Sequence, residues 1–390
     1  MESFRIGLIA SLSGPKQRIG LGILHSVEFI FALSNQPPFQ DGPRIELVVE
    51  DDRGQVFDAI KAMHKCVDAD CVMIIGPNDT DSATALLADE RFRGVPMLSL
   101  ANGTDIAPRN GAPNLFRVTS PNSSRVELLL MKIKQLMPKS TLHIYAETGA
   151  LETYSQSIKR DVLRCAESLG IDYAIDDFSV GVLNVPKPRR DAAIVVCAPS
   201  ASAVTLLKYL RRKGARNQAF GFGSNTNFLA DAAHGTIVVC DLDRYDNNPK
   251  MRSLLDAFSD GHPGINDPSI PSMQAINVVV QAVRDLGDIA PDTTIDDIRQ
   301  QLISILRSNS FEGIFGPVRF SDNGEMAGFE QITLARIRRR RNGYSFSALR
   351  ERSKPLRYRR HRLGTIISAL IGALGALTGL LGVVQWFLTR

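Results

Sequence analysis

The sequence predicts an α/β fold made of two doubly wound parallel-sheet units within one chain of 390 residues. Three observations carry this. Short apolar runs such as Ile6–Ala10, Ile45–Val49 and Val72–Ile75 end in polar or Gly-Pro turns, as strands buried on both faces do. Stretches of helical period separate them. The same alternation begins again after Asn122. A chain with 44% hydrophobic residues can fill two such cores.

Arg5–Ala10 reads as the first strand, and Ser11–Pro15 turns out of it. Gly20–Asn35 is a helix with Ile23, Val27, Ile30 and Phe31 on one side, and Gln36–Pro43 is a Pro/Gly loop. Ile45–Val49 is the second strand and ends in Glu50-Asp51-Asp52; the amphipathic helix Phe57–Val67 follows. Val72–Ile75 is closed by Gly76-Pro77. Polar Asn78–Ser82, rich in helix-capping types, opens the small-residue helix Ser82–Ala88. Pro96–Leu100 is a fourth strand, followed by a second polar turn, Ala101-Asn102-Gly103-Thr104. Leu115–Val118 ends the first unit, and Thr119–Asn122 links to the second.

The second unit has helices at Arg125–Leu136, Thr153–Leu169 and Ala201–Arg212. Its strands are Leu142–Ala146, Tyr173–Ser179, Ala192–Cys197, Ala219–Phe222 and Thr236–Cys240. After the polar stretch Asp241–Pro249, helices return at Lys250–Phe258, Met273–Leu286 and Thr294–Ser308. Val318–Phe320 leads into Ser321-Asp322-Asn323-Gly324, an Asn-Gly hairpin signal. Phe329–Arg338 and Tyr344–Ala348 form a last pair of strands around Asn342-Gly343.

The candidate site is where the two polar turns meet. Turns after neighbouring parallel strands lie side by side on the carboxyl edge, where open α/β sheets bind ligands. Unpaired N–H groups at a helix start, with Thr80 and Ser82 beside them, suit a carboxylate or another small anion.

Charge is divided sharply along the chain. Of the net +5, +11 comes from Arg336–Arg362 and +1 from Arg390, so residues 1–335 carry −7. An acidic body argues against nucleic-acid binding. The five cysteines, Cys66, Cys71, Cys165, Cys197 and Cys240, are odd in number and scattered, which predicts buried free thiols. Met1-Glu2-Ser3 leads directly into the first strand with no signal-peptide pattern.

No catalytic constellation emerges, and no cofactor or metal site is expected. Gly20-x-Gly22-x-x-His25 misses the dinucleotide fingerprint: its third glycine is absent and its glycines fall inside a helix. The six histidines lack metal-ligand spacing. Asp241, Asp243 and Asp246 lack the glycine and terminal Glu of a calcium loop.

The order of segments resembles the type I periplasmic binding proteins, specifically the branched-chain amino-acid binding group. The matching pieces are Leu12-Ser13-Gly14-Pro15 with Gly20, Glu46-Leu47-Val48-Val49-Glu50-Asp51-Asp52, Ile75-Gly76-Pro77, Val95-Pro96 and Ala101–Asp105. Phe116-Arg117, Phe311-Glu312-Gly313, Gly316-Pro317-Val318 and Phe320–Gly324 complete them. The resemblance spans roughly residues 4–349. It implies two lobes joined by a three-crossing hinge near Thr119–Asn122, Asp241–Pro249 and Phe320–Gly324, closing on a ligand. Lobe 1 would be 4–119 with 250–319; lobe 2 would be 123–240 with 325–349. By position, Thr80 looks like the family's carboxylate-binding hydroxyl, with Asp79 beside it. Ala101, Asn102 and Gly103 look like its backbone-binding turn, and Tyr154 like the aromatic of the opposite lobe. Two departures stand out. Gly223-Ser224-Asn225 has no acid where the family pairs a ligand ammonium, and Met273-Gln274 replaces a Tyr-Asp pair. A small polar ligand contacting Ser224 is implied rather than an α-amino acid, and a degenerate pocket in an interaction subunit is the alternative.

Leu363–Leu388 is uncharged over 26 residues, enough for one C-terminal transmembrane helix, which needs about 20. The basic segment 350–362 precedes it, and Arg357, Arg359, Arg360 and Arg362 adjoin the span, predicting a cytoplasmic flank and a cytoplasmic body. Trp386 fits the far interface. Ser368, Gly372 and Ala376, like Gly375 and Gly379, recur at helix-contact spacing, so a homo-oligomer through this helix is expected. The functional expectation is therefore a membrane-anchored ligand sensor, with an interaction subunit or a transporter-linked binding protein as alternatives.

Overall fold

In the computed structural model the described residues are 3–34, 43–103, 113–149, 152–223, 230–241, 249–262, 268–314, 316–327, 332–341 and 343–349. The first sheet holds β1 (Phe4–Ala10), β2 (Ile45–Asp51), β3 (Cys71–Ile75), β4 (Met97–Ser99) and β5 (Leu115–Arg117) in the order β2-β1-β3-β4-β5. Every pairing in it is parallel. Alternate side chains divide between its faces. Ile6, Leu8 and Ala10 enter one core with α1 (Gln17–Ser34), α7 (Pro249–Gly261), α8 (Ile270–Arg284) and α9 (Ile295–Ser308). Ile9, Cys71, Ile74 and Met97 enter the other, with α2 (Val56–Asp68) and α3 (Thr80–Ala88). Both faces are covered, and β3 at the centre of the sheet accordingly reads as a continuous, fully buried apolar run.

Gly20 and Gly22 are buried on α1, and a Cβ at Gly20 would stand 2.0 Å from the carbonyl oxygen of Ser11. The glycine pair therefore lets the helix lie against the exit of β1. This is a packing reason for the dinucleotide-like spacing.

The second sheet runs β15-β14-β10-β9-β8-β6-β7. Its parallel members are β6 (Leu142–Glu147), β7 (Tyr173–Phe178), β8 (Ala193–Cys197), β9 (Ala219–Phe222) and β10 (Ile237–Asp241). The helices α4 (Asn122–Leu136) and α5 (Glu152–Leu169) cover one face, and α6 (Ser200–Arg212) the other. The expected last pair of strands adds an antiparallel edge to this mainly parallel sheet. β14 (Ile332–Arg340) is antiparallel to β10, and β15 (Gly343–Ala348) is antiparallel to β14. Strands that follow each other closely in the chain pair as an antiparallel hairpin, since a parallel pair needs a crossover.

A small antiparallel sheet of β11 (Phe311–Gly313), β12 (Gly316–Phe320) and β13 (Met326–Ala327) includes the Asn-Gly hairpin. Its turn closes through Gly324 N donating to Ser321 O at 2.8 Å, with Gly324 at φ 74°. Phe320 and Met326 pack on the first core, so this hairpin extends that core's body through Ala327. The chain leaves the first body after β5, returns after β10 and leaves again after β13.

Among the described residues no helix is long and apolar enough to cross a membrane. The expected span 363–388, the basic segment 350–362 and Trp386 lie outside the described residues, as does Ser224.

Candidate functional site

The carboxyl edge of the first sheet gathers the turns after β1 to β5. Asp79, not Ser82, starts α3. Its side chain accepts from the backbone N–H of Asp81 at 3.1 Å and of Ser82 at 3.3 Å. An aspartate at the N-cap satisfies the orphan amides of a first turn. The expectation that these N–H groups stand unpaired for a ligand anion is therefore corrected: the protein's own carboxylate holds them. Asp79 also pairs with the ammonium of Lys16, which reaches over from the turn after β1. That partner was not legible in the sequence, because 63 residues separate the two.

The two polar turns do meet. A Cβ built on Gly103 would lie 2.3 Å from Thr80 Cγ2 and 2.7 Å from Thr80 Oγ1. Only a residue without a side chain lets Ala101–Gly103 approach Thr80 this closely. Ala101 is fully buried and held by both backbone groups. Its N–H donates to Ser99 Oγ at 3.2 Å, and its carbonyl accepts from Thr119 Oγ1 at 3.0 Å. The Asn102 carbonyl accepts from Asn122 N at 2.7 Å, which brings the start of α4, and so the second body, to this turn. Ser82 points inward: the residue is 1% exposed and its hydroxyl has no partner among the described residues. The buried Asn78 Oδ1 likewise has none among them. Tyr154 lies in the first turn of α5, and its ring packs on the core of the second sheet.

Arg117 organises the edge. It is 3% exposed, donates Nη1 to Gly103 O at 2.6 Å, and forks onto Glu325, with Nε 2.8 Å from Oε2. The second prong joins Nη2 to Glu325 Oε1. One guanidinium thus ties the turn after β4 to the hairpin from which the chain leaves the first body.

β6 ends in Glu147, on the carboxyl edge of the second sheet, the same edge at which α4 begins. Glu147 is 8% exposed; Oε1 accepts from Ser202 Oγ at 2.8 Å, and Oε2 has no partner among the described residues. Ser155 Oγ, fully buried at the start of α5, likewise has none among them. Burial pushes the Glu147 carboxyl above the usual Glu range, and the Ser202 bond opposes that shift. The folded chain therefore holds this proton more tightly than the unfolded chain does. The destabilisation is absent below the ordinary Glu value, develops as pH rises through the raised value, and is full above it. Glu147→Gln is expected to stabilise the chain by roughly 1 kcal/mol at neutral pH and not at all in acid. Urea midpoints at both pH values test this, and equal shifts at the two would refute it.

All five cysteines are free thiols, with Cys66, Cys71, Cys197 and Cys240 buried. Among the described residues no three His, Cys, Asp or Glu are placed to hold a metal ion.

Two sheets of mainly parallel strands alternating with helices, with polar turns on their carboxyl edges, define the class of two-lobed α/β binding proteins. The profile of the periplasmic binding protein family matches residues 3–342, and the chain belongs to that family. It is 22% identical over 356 residues to the leucine-, isoleucine-, valine-, threonine- and alanine-binding protein of Pseudomonas aeruginosa, covering 84% of this chain and 88% of that one. It is 21% identical over 343 residues to the Leu/Ile/Val-binding protein of Escherichia coli K12, covering 84% and 89%. Among solved structures, the branched-chain amino acid transporter substrate-binding protein of Streptococcus pneumoniae, in complex with isoleucine, superposes with a TM-score of 0.71 at 17% identity, covering 89% of this chain and 99% of that one. A solute-binding protein from Rhodopseudomonas palustris BisB5, in complex with 3,4-dihydroxybenzoic acid, superposes with a TM-score of 0.70 at 14% identity, covering 90% and 97%. The curated relatives are named for the amino acids they bind, and the two solved structures, which share this fold, are named as transporter substrate- or solute-binding proteins.

Proposed function

We propose that this chain binds a small polar ligand bearing a carboxylate between its two bodies, which close on it. The observation that carries this is the contact of Thr80 with Gly103, which places a hydroxyl and a backbone turn side by side on the carboxyl edge. In this reading Thr80 Oγ1 and the backbone N–H groups of Asn102 and Gly103 hold the carboxylate, Asp79 and Lys16 fix the start of α3, and Glu147 takes a donor or cationic group of the ligand. Glu147 supplies, at the exit of β6, the acid that is absent after β9. That supports an amino-acid-like ligand of the kind named for the relatives, and it moves the transporter-type reading ahead of the degenerate-pocket one.

A second reading concerns where the chain works. The uncharged stretch Leu363–Leu388, preceded by Arg357, Arg359, Arg360 and Arg362, supports a tail-anchored receptor whose closure a partner reads.

The test is thermal shift of the full chain against amino acids and small carboxylates. A ligand present at about 100 times its Kd adds about 2.7 kcal/mol of stability. Thr80→Ala is expected to remove much of that gain, and Gly103→Ala also, because its methyl drives Thr80 out of place. A ligand that stabilises both variants as it does the parent would remove this edge from the site.

A further inference from the structure

The opposite edge of the second sheet carries a feature that ligand binding does not use. β14 is antiparallel to β10, with Arg336 opposite Ile237, the first residue of β10. Residues 337–341 therefore run past the amino ends of the parallel strands, on the side away from Glu147. Arg338–Arg341 are all exposed there.

Two further basic runs reach the same edge. Lys187–Arg190 precedes β8, and Arg211–Arg216 precedes β9. A continuous ladder of hydrogen bonds links the three. Asn217 Nδ2 donates to Arg189 O at 2.6 Å and to Ala192 O at 2.7 Å. Gln218 Nε2 donates to Gly235 O at 2.8 Å, and Gly235 N donates to Ile337 O at 2.8 Å. Lys213 Nζ donates to Val185 O at 3.3 Å. The acids tied into this ladder are Asp191, 3.4 Å from Arg189, and Asp231, which accepts from the Tyr344 hydroxyl at 2.7 Å. Three runs separated in sequence thus form one strongly basic face on a body that is otherwise acidic.

We propose that this amino edge docks on a bilayer surface of anionic lipids, an inference that rests on the tail-anchored reading above. Continuity of the chain favours a lipid surface over a nucleic acid. The segment 350–362 and then the uncharged stretch 363–388 follow β15 directly. Thirteen residues span at most about 45 Å, against about 20 Å for the length of β15, so a membrane-held tail leaves the basic tip within reach of the same surface. Tyr209 carries the Lys213 ammonium over its ring and both Tyr209 and Tyr344 pack against the core of the second sheet, so neither offers an open ring for stacking a base.

The experiment is flotation of the full chain with neutral phosphatidylcholine vesicles and with vesicles that also contain phosphatidylglycerol. Binding to neutral vesicles reports the apolar stretch, and the ratio of anionic to neutral binding reports the face. Each arginine at an anionic surface contributes about fivefold in binding. R338E/R339E is expected to lower the ratio at least tenfold and leave neutral binding unchanged. R189E/R190E, in a different loop of the same edge, is expected to act in the same direction. Lys61→Glu, on the exposed side of α2, is expected to leave the ratio alone. An unchanged ratio in both double variants overturns the proposal even if the chain binds neutral vesicles. Loss of neutral binding in the parent chain overturns the anchoring reading instead. Binding to a duplex oligonucleotide that exceeds anionic-vesicle binding, and is lost with the same substitutions, assigns the face to nucleic acid and overturns the lipid reading.

Discussion

Arg117→Met is expected to destabilise the chain by roughly 3–5 kcal/mol, the usual result of removing one partner from a buried ion pair. The arginine is 3% exposed and its fork holds Glu325, whose carboxylate would be left without its cation in a site one-fifth open to solvent. The Gly103 carbonyl would lose its donor at the same time. Urea unfolding followed by far-UV ellipticity would read the loss. The double variant R117M/E325M is expected to recover part of it, because the orphaned charge is then gone. If the double variant is less stable than Arg117→Met by the full loss of a second independent side chain, the pair is not acting as a unit. A functional consequence follows as well. Arg117 is the shared support of the ligand-side turn and of the hairpin where the chain leaves the first body, so Arg117→Lys, which keeps the charge but not the fork, is expected to weaken ligand binding.

Gly76→Ala is expected to be as severe. Gly76 ends β3 at φ 101°, a conformation that L side chains rarely adopt, and a Cβ there would stand 2.2 Å from the carbonyl oxygen of Ile9. The neighbour is backbone of the interior strand β1, which has no rotamer to change. A loss of roughly 3–5 kcal/mol combines the dihedral strain with displacement of that strand. Ser82 and the capped start of α3 follow within six residues, so whatever folded chain remains should also lose ligand binding. A denaturant midpoint within a few tenths of a molar of the parent would show that β1 can yield. Gly54→Ala is an instructive contrast: it shares a positive φ of 69°, but its new methyl meets the Lys16 side chain at 3.1 Å, and that side chain can move. It is expected to cost less than Gly76→Ala, through dihedral strain alone.

Much of the fold was legible because its signals are local. The strand Ala219–Phe222 was delimited to the residue, since a run of four apolar residues between polar neighbours has few other readings. The expected start of α3 at Ser82 was misplaced by two residues, because Asp79 caps better than its sequence neighbours and draws the helix back to Thr80. The contact between the turns at Thr80 and Gly103 followed from strand adjacency alone, and the coordinates add the distance.

Short-range chemistry, then, settled the alternation of elements, the two buried cores, the hairpin at Asn323-Gly324 and the family to which the chain belongs. The sequence pattern could not rank Glu147 above other acids, because what marks it is a second oxygen enclosed at the end of β6 without a partner among the described residues. Nor could it pair Arg117 with Glu325, which are 208 residues apart, or align three basic runs along one edge. Periodicity and capping act over a few residues and are written in the order of the chain. Charge pairing, desolvation and shared surfaces depend on which distant segments folding sets side by side, and only the tertiary structure decides that.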